Sequence, residues 1–67
     1  MRNWLKDARK EAGMTCAQMA AALEISDIYY QFIESGRRMP NMTIDMAVKL
    51  SKVLRIPLES IIGFETR

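Results

Sequence analysis

A chain of 67 residues, 49% hydrophobic and 27% charged, describes one small domain, because so short a chain cannot bury a second core. Ten Lys and Arg against eight Asp and Glu leave a net charge of only +2, yet Arg2, Lys6, Arg9 and Lys10 crowd the start and Arg37 adjoins Arg38, so the clustering is more informative than the mean. One cysteine and no histidine exclude an internal disulfide, a Cys/His zinc set and a Ser-His or Cys-His catalytic pair.

No run approaches the roughly 18 apolar residues of a membrane span, and residues 1–7 lack the apolar stretch of a signal peptide. A cytoplasmic location with no membrane partner is expected. Asn3 is suited to cap a first helix that carries Trp4, Leu5, Ala8 and Ala12 on one face and stops at Gly13. Thr15 to Gln18 has capping-box form, and Cys16, Met19, Ala20 and Leu23 share a face, which predicts a short second helix near residues 16 to 23. Ser26, after only Glu24 and Ile25, caps a third helix from Asp27 to Ser35 that Gly36 ends. Arg37 to Asn41 reads as a loop. Thr43 caps a fourth helix with Ile44, Ala47, Leu50, Ser51 and Leu54 facing inward, and Pro57 opens a brief fifth through Ile62, before Gly63. No segment alternates like a strand, so the expected fold is a compact all-α five-helix bundle.

Two short helices joined by a tight turn form a helix-turn-helix, whose second helix fits the major groove of DNA. The pattern is carried by Leu5, Arg9, Gly13-Met14-Thr15, Met19-Ala20, Leu23, Ile25-Ser26, Tyr29-Tyr30, Ile33 to Arg38, Pro40, Leu54 and Ile56 to Glu59. On these residues the chain, from Trp4 to Ile62, resembles the Cro and phage-repressor type of regulator, the Xre or lambda-repressor-like family. The resemblance implies a single DNA-binding domain over residues 1–67 with its motif at about 16–35, a prokaryotic or phage origin, and no cofactor. It also implies a structural ion pair between Arg9 and Glu34, and DNA-backbone contacts from Thr15, Cys16, Ser26, Gln31, Arg37, Arg38 and Asn41.

The chain departs from that pattern at three points. Cys16 stands where the family commonly has a glutamine on the DNA backbone, and cysteine is a poorer donor. Glu24 and Arg55 replace glycines, which asks ordinary residues to turn left-handed at roughly 1 kcal/mol each. The outward face of the third helix is apolar and acidic: with Tyr30 and Ile33 in the core, Ile28 and Phe32, about 40° apart, look outward beside Asp27.

That face has two readings. In the preferred one Asp27, Ile28, Tyr29 and Phe32 read bases, with Ile28 and Phe32 on thymine methyls and Asp27 accepting from a cytosine amino group. The alternative is a protein-interaction module with weak or no DNA binding, which meets a partner such as a protein antagonist through Ile28 and Phe32. A tilt of one aromatic into the core suits Tyr29 better than Phe32. Lys6, Lys10, Lys49 and Lys52 read as solvated surface. Leu58, Ile61, Ile62 and Phe64 are more apolar residues than a short last helix needs, which suggests a homodimer interface and half-sites about 34 Å apart on a near-palindromic operator. The expected function is sequence-specific transcriptional regulation, as a repressor with its third helix in the major groove, and not enzymatic activity. A redox-sensing Cys16 at a helix start is a minor further reading.

Overall fold

The computed structural model describes residues 2–37, 39 and 41–66. Among them are five helices and no strand: α1 (Asn3–Glu11), α2 (Cys16–Leu23), α3 (Asp27–Ser35), α4 (Ile44–Leu54) and α5 (Leu58–Glu65). Three of these begin on a hydroxyl. The side chains of Thr15, Ser26 and Thr43 accept from the backbone N–H of Gln18, Tyr29 and Met46 at 3.1, 3.1 and 3.2 Å. Each satisfies an N–H that has no carbonyl within its helix, a contribution of about 1 kcal/mol. At Thr15 the bond is reciprocated, its own N–H donating to Gln18 Oε1 at 2.8 Å.

The turns follow from backbone conformation. Glu24 and Arg55, at φ 61° and 57°, end α2 and α4 in the left-handed region at the modest steric cost that any Cβ carries there. Gly36, at φ 86°, ends α3 without that cost. α2 lies at the centre, packed on α3 and α4, while α5 packs on α4 and α1 on α3. The core they enclose is Leu5, Met19, Ala20, Leu23, Tyr30, Ile33, Met46, Ala47, Leu50 and Ile61. Burial of each large side chain in it contributes about 1.5–3 kcal/mol.

Three expectations from the sequence need correction. Asn3 does not cap α1: it is the first helical residue, and Arg2 occupies the cap position without a side-chain cap bond. Ile44 does not face inward but is 66% exposed, because α4 turns Met46, Ala47 and Leu50 to the core and so carries Ile44 off that face. Nor does α5 stop before Gly63. It continues to Glu65, where its last turn is held from outside, Phe64 stacking on Trp4 and Glu65 bonded to Arg2 and Trp4. Tertiary contacts here override the weak helical preference of a glycine.

Candidate nucleic-acid interface

α2 and α3 are separated only by Glu24, Ile25 and Ser26. Their mutual angle is fixed from beneath by the buried Met19, Ala20, Leu23, Tyr30 and Ile33, and from one end by an ion pair. Arg9 on α1 donates from Nε to Glu34 Oε2 at 3.0 Å and from Nη2 to Glu34 Oε1 at 3.4 Å. Its Nη1 reaches the Met14 carbonyl at 2.9 Å, so one guanidinium joins α1, α3 and the lead into α2. Both side chains are about nine-tenths buried, at 12% and 8% exposure, and the bond to Glu34 raises the Arg9 pKa further above its ordinary value. The hydroxyl of Tyr30 is buried beside this pair without a hydrogen bond of ordinary geometry. Burial first, and then the Glu34 carboxylate, push its ionisation well above the usual phenol range.

The outer side of α3 is open. Asp27, Ile28, Gln31 and Ser35 are exposed, Ile28 to 64%. Asp27 occupies the first turn, where a negative charge suits the helix dipole. The two aromatics part company: Tyr29 is half-buried and packs against the core, whereas Phe32 is half-buried with the Arg37 guanidinium carbon 5.9 Å from its ring centre. Phe32 thus carries a cation on its face, an attraction of about 0.5–1 kcal/mol at such sites.

The flanking positions are distributed on both sides of α3. Thr15 and Ser26 are exposed and Cys16 half-buried. The oxygens of Thr15 and Ser26 already accept within their caps, which leaves each hydroxyl hydrogen free to donate outward. The N–H groups of Cys16 and Ala17 open α2 without a carbonyl partner in the helix. Arg37 and Asn41 are exposed in the segment after α3, and Met39 between them is half-buried at φ 55°. Arg38 and Pro40 lie outside the described residues.

The set suggested for a dimer contact does not form one surface. Ile61 is wholly buried in the domain's own core, which corrects its assignment to an interface, and the Phe64 ring stacks on Trp4 at 5.3 Å within the chain. Leu58 packs partly against the core, and Ile62, 43% exposed, keeps most free surface. Among the described residues no helix is long and apolar enough to cross a membrane.

Residues 5–61, from the core Leu5 to the core Ile61, match the helix-turn-helix family. The chain belongs to that family. Its matched span takes in all of α2 and α3, and the family, of the Xre and lambda-repressor-like kind, is one of transcriptional regulators rather than a class of enzymes. The helix-turn-helix domain is also 40% identical over 48 residues to an uncharacterised HTH-type transcriptional regulator, YqaF, of Bacillus subtilis strain 168. The alignment covers 72% of this chain but 63% of that protein, so the chain spans less than two thirds of its relative's length. No solved structure matches.

One feature of this helix-turn-helix domain has no signal in local sequence patterns. Arg2, 7% exposed, bonds Glu65 across 63 residues of chain and reaches the end of α3. Neither periodicity nor capping rules relate residues so far apart. The nearest clue is an arginine before the first apolar face, matched by a glutamate after the last.

Proposed function

We propose that the domain binds operator DNA with α3 in the major groove and represses transcription by occupying a promoter. The observation that carries this is the open face of α3, where Asp27, Ile28 and Gln31 stand exposed on the second helix of a family helix-turn-helix. On this reading Ile28 packs on a thymine methyl, Asp27 accepts from a cytosine amino group, and Tyr29 and Phe32 line the groove on either side. Thr15, Cys16, Ser26, Gln31, Arg37, Arg38 and Asn41 hold the phosphates that bracket it. Two copies occupy a near-palindromic site with half-sites about 34 Å apart, and Ile62 with the open flank of Leu58 is the apolar surface they have to share.

Selection from a random duplex library at near-physiological salt tests the proposal. A palindromic consensus with half-sites one turn apart is the expected outcome, with Arg37→Ala weakening all sequences alike and Ile28→Ala changing the preference among them. No enrichment by folded protein would remove the DNA reading and favour a protein partner on the face formed by Ile28 and Phe32, whose binding would be insensitive to salt where phosphate binding is steeply sensitive.

A further inference from the structure

The Arg2 guanidinium is shared among three parts of the fold. Nε and Nη2 donate to Glu65 Oε2 and Oε1, both at 2.9 Å, a planar fork on the end of α5. Nη1 donates to the Ile33 carbonyl at 2.7 Å, and Nη2 to the Met39 carbonyl. The backbone N–H of Arg2 adds a bond to the Glu34 carbonyl at 2.9 Å. Glu65 is steadied in turn by Trp4 Nε1 at 2.7 Å. The carbonyls of Ile33 and Glu34 belong to the last turn of α3, where the helix dipole favours a cation, and Ile33 accepts there from the Gly36 N–H as well, at 3.2 Å. Met39 lies two residues beyond Arg37 and holds a left-handed backbone, φ 55°, at the same modest steric cost that Glu24 and Arg55 carry. Arg2 therefore bonds the chain on both sides of Arg37, at Ile33 and Glu34 before it and at Met39 after it.

We infer that Arg2 and Glu65 are positioning residues for DNA-backbone binding, holding the segment that leaves α3 in the pose from which Arg37 meets a phosphate. The inference rests on the DNA reading above. Residues tied down before DNA arrives lose less conformational freedom on binding. The Glu65 carboxylate keeps the guanidinium plane aimed by two charge-assisted bonds. A lysine at position 2 has no fork with which to span Glu65, Ile33 and Met39 together.

Anisotropy titrations of a short fluorescent duplex of mixed sequence at low salt, with thermal unfolding of every variant alongside, test this. Arg2→Lys is expected to weaken binding roughly fivefold or more and to make the salt dependence shallower by about one phosphate contact, as Arg37→Ala does. Glu65→Gln is expected to do the same to a smaller extent and serves the same comparison if Arg2→Lys does not fold. In an Arg37→Ala background neither change is expected to weaken binding further. Unchanged binding by the folded variants, or an equal loss with and without Arg37, overturns the inference and leaves the DNA reading standing. If Arg37→Ala itself changes nothing, or the unaltered protein binds no duplex, the backbone-contact reading fails and the inference falls with it.

Discussion

Among the described residues are two largely buried arginine–glutamate pairs, and they differ in what they join. Arg9–Glu34 links elements that already face each other through the core, α1 and α3, and its remaining bond goes to the Met14 carbonyl nearby. Arg2–Glu65 links the start of α1 to the end of α5 and spreads its other bonds over the last turn of α3 and the segment beyond. The first pair sets an angle between packed helices, while the second ties the start of α1 to the end of α5, beside the Trp4–Phe64 stack, and to the chain that leaves α3. Ion pairs of similar exposure, 12% and 8% against 7% and 16%, thus serve packing in one case and connection in the other.

The largest effect expected from breaking either pair is at Glu34. Glu34→Ala leaves Arg9 buried and uncompensated, at a cost of about 3 kcal/mol or more, to be read as a lower urea midpoint. Joint replacement Arg9→Met with Glu34→Leu should cost less than Glu34→Ala alone, since no charge is then stranded; a larger cost would mean that the pair does more than fix an angle. Glu65→Ala is expected to cost about 2 kcal/mol, because Arg2 retains the Ile33 and Met39 carbonyls. Losses equal to those at Glu34 would erase the distinction between the two pairs.

Acid sharpens it further. Burial alone would raise the Glu65 carboxyl, but the bonds from Arg2 and Trp4 and the charge of Arg2 outweigh it and hold the carboxyl below its ordinary 4.5. A carboxylate depressed in this way stabilises the fold in full above its unfolded-state value and loses that contribution as pH falls through the folded-state one. Urea midpoints below pH 4.5 should therefore decline less steeply with acidity in Glu65→Gln than in the unaltered protein. The smallest change is expected from Tyr30→Phe beside the Arg9 pair: the hydroxyl has no hydrogen bond of ordinary geometry, so its loss should move stability by less than about 1 kcal/mol. A large loss would reveal a bond to Glu34 in solution.

The sequence was most legible where structure is made locally. Thr15, Ser26 and Thr43 announce their helices because a cap needs only a hydroxyl and an N–H three residues on, whereas the left-handed turns at Glu24 and Arg55 are implied by the family resemblance, whose glycines they replace. Core positions on α2 and α3 follow from helical periodicity. Legibility fails where distant parts meet. Gly63 looks like a stop because glycine is a weak helix former, and only Trp4 and Arg2, more than fifty residues away, extend α5 past it. Ile44 fits the apolar spacing of α4, yet the face that Met46, Ala47 and Leu50 turn to the core leaves it outside. The outward face of α3 was legible as a face; what Asp27, Ile28 and Phe32 touch depends on a partner that the chain does not contain.

The stack of Trp4 on Phe64 gives the molecule a built-in gauge. Trp4 is the sole tryptophan, and its ring nitrogen is bonded to Glu65 while its face lies against Phe64. Its fluorescence therefore reports the docking of the last helix onto the first, at the edge of the core on which Trp4 also packs. Emission that shifts before the far-ultraviolet helical signal is lost would time the release of α5 as an event of its own.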